Sequence, residues 1–272
     1  MKVYNSLEDA VIDIREGEAR QFFIFTAGVL FPLHISWKGV GKNWVVFYPG
    51  AYNRSRDIPS FQRRKHGELL DCNVLCVFDP GLFFHKKITL TWFSGTPSLH
   101  YSSLLADVLS SFFYRSGIDG SRILLFGSSG GGLPAFETAM KINNSSVMVF
   151  NIQINASKHP GFGKMYDIMF PDLSRDQVFE NYRSRFFLPD IIGGKGCFSF
   201  FYLQNLADES HYAKHYSFFK KWFLNEKGKG NLDSLKGDFI LYEDLDSGHG
   251  SIGKEAEVRL IESFFSGDGV KL

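Results

Sequence analysis

One segment in the middle of the chain constrains the fold more than any other. It begins with the apolar run Ile123–Phe126, continues through the motif GSSGG at 127–131, and leads into a helical pattern after Gly132. The motif fits G-x-S-x-G, in which a serine occupies a tight turn between a strand and a helix. Glycines beside the serine let strand and helix approach without Cβ clashes, which leaves the hydroxyl exposed above the sheet. Ser129 is therefore the predicted nucleophile.

Two phosphate-binding interpretations of the same glycines are weaker. The run GGGLPA at 130–135 formally matches a dinucleotide fingerprint, but that motif belongs to a first βα unit with an acid closing the next strand. Here the next strand runs into Asn151. Gly127 and Gly132 also have P-loop spacing, yet a Leu-Pro pair replaces the Lys and Ser/Thr that hold phosphate and Mg²⁺. The sequence therefore favours a nucleophile turn over a nucleotide site.

Apolar runs recur along the chain, and most are continuous rather than alternating with polar residues. Strands buried on both faces of a mostly parallel sheet have this pattern. Several runs are followed by helical spacing. The predicted strands are Gln21–Phe25, Trp44–Tyr48, Val74–Phe78, Ile123–Phe126, Val147–Ile152, Phe198–Leu203 and Phe239–Tyr242, and the predicted helices cover Ser98–Ser116, the segment after Gly132, and Ile252–Phe265. This alternation predicts an α/β fold.

Composition and charge exclude several classes of protein. The chain has 272 residues, of which 44% are hydrophobic and 16% aromatic, and its formal net charge is +1. This apolar content excludes a disordered chain, and the length is compatible with one large α/β domain over residues 1–272. Near-neutrality argues against nucleic acid as the main partner, because proteins that bind it carry a clustered basic excess.

Cysteines and apolar segments bear on the cell compartment. Cys72, Cys76 and Cys197 are too few, and odd in number, for a disulfide framework, so buried free thiols are the simpler interpretation. The first ten residues lack a basic region followed by an apolar one, and no stretch approaches about 18 uninterrupted apolar residues. We expect a soluble cytoplasmic protein without a membrane span.

The candidate base and acid follow the last two predicted strands. His249 lies between the last strand and the last helix, where it can reach back over the sheet edge to the serine. Asp208 comes just after the penultimate strand, where a carboxylate can accept the imidazole Nδ1–H and hold the productive tautomer. Glu209 is the nearest substitute for Asp208. The order Ser, Asp, His along the chain is the order that this kind of serine turn uses.

Other histidines and acids have simpler interpretations. His211 and His215 are four residues apart on a predicted helix and could share a metal, but no third ligand has matching spacing. A surface or core face is the favoured interpretation, and we expect no metal. Asp244 and Asp246 lie on the loop of His249, where turn formation is their expected role.

An oxyanion hole needs two backbone N–H groups that face the developing negative charge. The Gly130 amide, directly after the nucleophile, is the first candidate. The second is expected from the turn Pro49-Gly50-Ala51-Tyr52, which follows the strand Trp44–Tyr48. Either Ala51 or Tyr52 is the predicted donor.

A long insertion at about 155–196 interrupts the rhythm of strands and helices with prolines and glycines. Insertions of this length between strands are usually lids or binding loops. Phe162 and Tyr166 in the insertion, with Ser128 beside the nucleophile, are the candidate substrate-binding residues. Packing inside a helical cap is an equally good interpretation of the aromatics. Cations crowd the region after the Pro49–Tyr52 turn, where a solvated face is the default and an anionic substrate group the alternative; they are Arg54, Arg56, Arg63, Arg64 and Lys65.

With these residues in place, the sequence resembles the α/β-hydrolase family. The resemblance spans the 127–131 turn, the Pro49–Tyr52 loop, Asp208, His249 and an insertion where this family carries its cap. It implies a mostly parallel sheet of the eight-stranded type and serine-based acyl transfer. The loop Pro-Gly-Ala-Tyr replaces the His-Gly-Gly-Gly of many lipases and esterases, so the substrate class cannot be copied across.

A fainter similarity concerns bacterial hydrolase-fold proteins of surface-polysaccharide assembly. It rests on 127–132, on Asn151-Ile-Gln153 and on Gln204-Asn205. The expected function is hydrolysis of a carboxylic or related acyl ester, on a small molecule or a glycan, through Ser129, His249 and Asp208 without a cofactor. Transfer of the acyl group to a glycan or other hydroxyl is the first alternative, and a catalytically silent binding or scaffold protein is the second.

Overall fold

The computed structural model describes residues 1–194, 196–250 and 252–270. In these ranges, nine strands form one sheet. They are β1 (Lys2–Tyr4), β2 (Ala19–Thr26), β3 (Val29–Ser36), β4 (Trp44–Tyr48), β5 (Asn73–Val77), β6 (Ile123–Ser128), β7 (Ser146–Phe150), β8 (Ser199–Asn205) and β9 (Lys236–Tyr242). Their order across the sheet is β1-β2-β3-β5-β4-β6-β7-β8-β9.

The sheet is mostly parallel. Strand β3 pairs antiparallel with both β2 and β5, and every other pair of neighbours is parallel. All residues of β4, β5 and β7 are buried, as the continuous apolar runs predicted. The seven predicted strands are confirmed, each within a few residues of its predicted bounds.

Strands β1 and β3 were not predicted from the sequence. Strand β3 contains Pro32, and a proline inside a run argues against a central strand because it donates no ladder hydrogen bond. The structure accommodates it because pairing with β5 begins only at Leu33. The turn from β2 to β3 has positive φ at both Ala27 (47°) and Gly28 (80°), which is the backbone twist that suits a tight hairpin.

Helices lie between the strands. They are α1 (Leu7–Ile12), α2 (Tyr101–Arg115), α3 (Gly132–Ala139), α4 (Phe162–Met169), α5 (Arg175–Asn181), α6 (Leu188–Ile192), α7 (Glu209–His211), α8 (Ser217–Gly228) and α9 (Lys254–Ser266). A π-helical stretch, Tyr212–Tyr216, joins α7 to α8. The three helices expected from periodicity correspond to α2, α3 and α9, with starts shifted by up to three residues. Within the described ranges, no helix combines the length and apolar character needed to cross a membrane.

The segment between β7 and β8 contains α4, α5 and α6. Its aromatic and aliphatic side chains are buried in the hydrophobic core, among them Phe162, Met165, Phe170 and Phe186. Helix α5 starts with a capping box, in which the Ser174 side chain and the Gln177 side chain each bind the other's backbone N–H. The segment between β7 and β8 therefore packs into the hydrophobic core, and its helix α5 has a capped N-terminus.

Parallel strands place their carboxyl ends at one edge of the sheet. The loops after β4, β6, β7, β8 and β9 all emerge there, because these strands are parallel neighbours. In open α/β sheets this edge is where ligand sites form. The candidate residues from four separate parts of the chain are brought together at it.

Candidate active site

The turn at Ser129 has the conformation that the motif predicts. Strand β6 ends at Ser128, Ser129 has φ of 52°, and a 3₁₀ turn over Ser129–Gly131 leads into α3. A Cβ at Gly127 would lie 2.5 Å from the Gly131 carbonyl oxygen, and one at Gly131 would lie 2.5 Å from the Tyr48 carbonyl oxygen. Only glycine fits at these two positions, and the strained serine backbone lifts the hydroxyl away from the sheet.

Ser129, His249 and Asp208 form a continuous chain of hydrogen bonds. Ser129 Oγ lies 3.0 Å from His249 Nε2, and His249 Nδ1 lies 2.6 Å from Asp208 Oδ2. The histidine belongs to the loop between β9 and α9, and the aspartate follows β8. The structure thus brings together, at hydrogen-bond distances, the three residues that the sequence suggested as nucleophile, base and acid.

The environment of Asp208 favours its charged form. Burial raises the pKa of this carboxyl, but hydrogen bonding to His249 and the neighbouring His211 outweigh burial and lower it below its ordinary value. Its Oδ1 also accepts the backbone N–H of His211 at 3.2 Å. Glu209, the alternative acid, is exposed at the start of α7. Asp244 accepts the backbone N–H groups of Asp246 and Ser247, which is a turn-forming role.

His211 contacts both Asp208 and His249, which was not expected from the sequence. Its Nδ1 lies 3.0 Å from Asp208 Oδ2, and its ring stacks on that of His249 with centroids 4.1 Å apart. The i, i+3 spacing from Asp208 on a helix start was the signal that could have found it. His215 instead accepts the backbone N–H of Ile154 through Nδ1.

Asp208, His211 and His249 also offer one ligand atom each within 4.8 Å of one another. A carboxylate and two imidazoles are suitable donors for Zn²⁺. The contacts that Asp208 makes with the two rings are hydrogen bonds or charge contacts between imidazole and carboxylate. These hydrogen bonds account for the proximity without an ion.

The two loop amides suggested for the oxyanion hole are not equivalent. The Tyr52 N–H donates to the Thr89 carbonyl at 2.6 Å, so the suggestion that Tyr52 serves the oxyanion is wrong. The neighbouring Gly50 N–H donates to Gln62 Oε1 at 3.1 Å. Ala51 borders the cavity at Ser129, and its N–H has no hydrogen-bond partner within the described ranges. Ala51 and Gly130 therefore stay the candidate donors.

A second polar side chain contacts the nucleophile. Gln153, three residues beyond β7, donates from Nε2 to Ser129 Oγ at 3.2 Å, and its backbone N–H donates to the Ser129 carbonyl at 3.2 Å. Its Oε1 accepts the indole N–H of Trp92 at 2.6 Å. The fainter sequence similarity had grouped Gln153 with the serine turn but predicted no contact, and no sequence pattern pointed to Trp92, because both contacts depend on how the strand ends meet.

A cavity of about 390 Å³ opens beside Ser129. Ser128 borders it, as suggested from the sequence. The suggestion for Phe162 and Tyr166 is not met: neither borders this cavity, and Phe162 is fully buried against Trp92 and Phe186. The lining residues are Gly50, Ala51, Gln62, Arg63, His66, Ser128, Ser129, His249, Gly250, Lys254 and Glu257. The lining includes the charged side chains of Arg63, Lys254 and Glu257.

A buried ion pair between Arg63 and Glu257 lines part of the cavity. Arg63 binds both carboxylate oxygens of Glu257, at 2.8 and 2.9 Å, and donates to Ser128 Oγ at 3.1 Å. His66 Nε2 lies 2.8 Å from the same carboxylate. Burial raises the pKa of Glu257, but the charge of Arg63 and the hydrogen bonds from His66 and Arg63 lower it to about 2. Glu257 is therefore ionised and holds α9 to the turn that precedes the 3₁₀ helix Arg64–Glu68.

The remaining cations divide into two groups. Arg54 donates to the backbone carbonyls of Leu82, His85 and Ile88, so its charge is used within the fold. Arg56, Arg64 and Lys65 are exposed. They line a second cavity of about 400 Å³ that shares Gln62, Arg63, His66 and Lys254 with the first. We call this second cavity the basic groove; its lining contains no carboxylate within the described ranges.

Comparison with known proteins identifies the architecture. The sequence matches no protein-family model and no curated protein. The structure is similar to the capsule O-acetyltransferase of Neisseria meningitidis serogroup A, with a TM-score of 0.62 and 16% identity over 90% of this chain and 92% of that chain. A post-proline cleaving enzyme from Rickettsia typhi is similar with a TM-score of 0.62 and 15% identity, over 94% of this chain and 38% of that one.

A third similar structure is the Glycosylation Associate Protein complex from Streptococcus agalactiae, with a TM-score of 0.55 and 14% identity over 93% of this chain and 48% of that chain. The O-acetyltransferase, the post-proline cleaving enzyme and this chain share a mostly parallel sheet flanked by helices. The expectation from the sequence is confirmed: the chain has the α/β-hydrolase fold.

Proposed function

We propose that the protein is a serine acyl-transfer enzyme that forms a covalent ester on Ser129. The hydrogen-bonded chain from Ser129 through His249 to Asp208 carries this proposal, because it lies on a strained turn beside an open cavity. A hydroxyl becomes a nucleophile when an adjacent base accepts its proton and a third group orients that base. The three residues supply these parts at hydrogen-bond distances.

The reaction has two half-reactions. Ser129 Oγ attacks the acyl carbonyl while its proton passes to His249 Nε2, and the carbonyl oxygen becomes an oxyanion next to the amides of Gly130 and Ala51. The bond to the leaving group breaks as His249 returns the proton to it. Water then attacks the acyl-serine in the same way and releases the acid and free Ser129. Asp208 stabilises the imidazolium throughout.

Intact-mass measurement after exposure to a fluorophosphonate tests the proposal. We expect one adduct on the wild type and none on Ser129→Ala, because the probe reacts only with an activated serine. Ser121→Ala is the matched control, since Ser121 is exposed before β6 and has no contact with the site. No adduct on a folded wild type would contradict the proposal and favour a catalytically silent binding protein.

Transfer of the acyl group to a hydroxyl acceptor is the second candidate function. The basic groove favours it, because an acyl donor with phosphate groups would place its negative charge there while its acyl end reaches Ser129. One of the similar structures is a variant of the capsule O-acetyltransferase in complex with CoA, with a TM-score of 0.59 and 15% identity. An acyl-CoA donor and a glycan hydroxyl acceptor are therefore the first pair to examine.

Two acetyl donors separate the candidates. If the groove binds donor phosphates, acetyl-CoA should have a KM roughly tenfold or more below that of acetyl-pantetheine, which carries no phosphate. Arg64→Gln with Lys65→Gln should raise the KM for acetyl-CoA and leave that for acetyl-pantetheine unchanged. The control pair Lys86→Gln with Lys87→Gln removes two exposed charges that border neither cavity. Equal KM values for both donors would favour simple ester hydrolysis.

A further inference from the structure

We infer that Gln153 is a further catalytic residue, whose side-chain N–H directs the Ser129 hydroxyl proton towards His249 and stabilises negative charge on Ser129 Oγ. The inference rests on the proposed function, because it assigns a role at the same nucleophile. It is carried by the hydrogen bonds of Gln153 to Trp92 and Ser129.

The orientation of the Gln153 amide is determined by Trp92. An indole N–H can only donate, so the atom of Gln153 that lies 2.6 Å from Trp92 Nε1 is the carbonyl Oε1. The NH₂ group then faces Ser129, with Nε2 3.2 Å from Oγ. A flipped amide would set two donors against each other at the indole. The nucleophile therefore meets a donor-only group on this side.

This arrangement leaves one direction for the serine proton. Among the described residues, two side-chain nitrogens lie within hydrogen-bond distance of Ser129 Oγ: Gln153 Nε2 at 3.2 Å and His249 Nε2 at 3.0 Å. The amide nitrogen cannot accept a hydrogen bond, whereas the imidazole nitrogen can when Nδ1–H is bound to Asp208. The hydroxyl accordingly accepts from Gln153 and donates to His249, which is the arrangement that general-base catalysis requires.

The surroundings hold Gln153 and Trp92 in place. Gln153 is 1% exposed, and its backbone N–H binds the Ser129 carbonyl. Trp92 and the next residue, Phe93, have φ of 54° and 53°, a strained conformation for aromatic residues. The fully buried Asp79 sustains it by accepting the Phe93 N–H at 2.7 Å and the Thr91 hydroxyl. A buried carboxylate that holds two residues in a strained backbone conformation is consistent with a functional role for the hydrogen bond between Trp92 and Gln153.

Gln153 acts on both half-reactions. During acylation the bond from Oγ to the acyl carbon forms as the proton moves to His249, and negative charge grows on Oγ before the bond is complete. During deacylation the bond breaks and Oγ leaves with that charge until His249 returns the proton. An N–H at Oγ lowers the energy of the charged oxygen in each step, as a backbone amide does for the carbonyl oxyanion.

Two variants test the inference through the rate of fluorophosphonate labelling. Gln153→Met keeps the side-chain length and removes the N–H, so the second-order rate should fall roughly tenfold to a hundredfold. Gln153→Glu puts a carboxylate against Oγ, which competes with His249 for the proton and stabilises the imidazolium. Labelling of Gln153→Glu should therefore be slower than that of the wild type, and the midpoint of its curve of labelling rate against pH should move to higher pH. The midpoint for Gln153→Met should equal that of the wild type.

The controls separate this inference from the proposed function. Gln21→Met makes the same change on β2, away from the site, and should label at the wild-type rate; melting curves establish that each variant is folded. Wild-type labelling combined with an unchanged rate in Gln153→Met would overturn the role of Gln153 alone. If Gln153→Met and Gln153→Glu lost the same fraction of the labelling rate and had the same pH midpoint, Gln153 would have only a packing role. That result would also overturn the inference. A wild type that does not label would overturn both proposals.

Discussion

The imidazole rings of His211 and His249 lie stacked, with centroids 4.1 Å apart and planes at 27°. Both rings reach the carboxylate of Asp208 through Nδ1. Burial lowers the pKa of His211, and the charge of His249 lowers it further, which outweighs the opposite effect of Asp208. In the proposed mechanism, His211 is therefore a neutral donor that holds Asp208 in place while His249 takes the proton.

His211→Phe should slow labelling of Ser129 roughly tenfold. The phenyl ring keeps the stack on His249 but removes the N–H that orients Asp208, and the loss of one hydrogen bond to a charged group corresponds to about that factor. Rates of fluorophosphonate labelling measure the effect. His85→Phe is the control, since His85 borders neither cavity. Labelling of His211→Phe at the wild-type rate would show that Asp208 needs no second imidazole.

Glu257→Gln should destabilise the fold by about 3 kcal/mol, because it leaves the Arg63 guanidinium buried without its counter-charge. Only 9% of the Arg63 side chain and 2% of the Glu257 side chain are exposed. Urea unfolding at pH 7 measures the loss. Replacing the pair by Arg63→Met with Glu257→Leu should cost less than Glu257→Gln alone, since neither charge is then stranded. A larger loss in the double variant would contradict this account.

The same carboxylate predicts an acid dependence of stability. The pKa of Glu257 is about 2 in the fold against an ordinary value of 4.5. Its stabilising contribution is complete above about pH 4.5 and is lost as the pH falls towards 2, because the unfolded chain binds the proton first. Between those values the wild type should lose stability more steeply than Glu257→Gln. Parallel curves of unfolding free energy against pH would contradict the assignment.

Glu137 should show the opposite dependence. Burial raises its pKa to about 7 from an ordinary 4.5, and burial lowers the pKa of its neighbour His100 to about 3, so the two do not form an ion pair at neutral pH. The folded state is more stable when Glu137 is protonated, because the buried site disfavours its charge. Its contribution to stability is therefore fully present below about pH 4.5 and is lost as the pH rises to about 7.

Glu137→Gln should consequently stabilise the protein at pH 8, by an amount on the order of 3 kcal/mol, and have little effect at pH 4.5. The amide keeps the shape of the protonated carboxyl and cannot ionise. Urea unfolding at the two pH values measures the difference. Glu68→Gln is a suitable control, because it makes the same change at a carboxylate that is exposed and does not contribute to the pKa of Glu137. An equal effect of Glu137→Gln at both pH values would show that burial does not raise this pKa.

Gly131→Ala should lower both stability and labelling. Its Cβ would meet the Tyr48 carbonyl oxygen at 2.5 Å, so β4 and the turn after Ser129 would have to separate. We expect a loss of at least 1 kcal/mol in the free energy of unfolding, with slower fluorophosphonate labelling. Gly163→Ala in α4 is the control, because nothing lies within 4 Å of its Cβ. A Gly131→Ala protein that matched this control would show that the close approach is not needed.

Short sequence patterns predicted the features that depend on residues close together in the chain. The glycines of the 127–131 motif predicted the strained serine turn, because the clashes that exclude other residues arise from neighbouring backbone. Continuous apolar runs predicted buried parallel strands, and the residues after β8 and β9 predicted Asp208 and His249 at the sheet edge. The antiparallel strand β3 was missed because Pro32 argues against a strand until its partner is known.

Contacts between side chains from different loops at the sheet edge could not be predicted from short sequence patterns. Arg63 and Glu257 pair across 194 positions of sequence, and Gln153 reaches Ser129 from a different strand end. The Tyr52 amide was a reasonable oxyanion donor until the structure paired it with Thr89. Phe162 was as suitable for a pocket wall as for a cap core until packing buried it.

The fold class, the turn of Ser129 and the order of the candidate nucleophile, acid and base could be predicted from the amino-acid sequence, because each shows in a short local pattern: an apolar run, a glycine-rich turn or the residues just after a strand. The groups around the candidate site, including Gln153, His211 and the Arg63–Glu257 pair, could be identified only from the three-dimensional arrangement. Hydrogen bonds and ion pairs act over about 3 Å, and such distances between remote residues exist only after the strands have assembled.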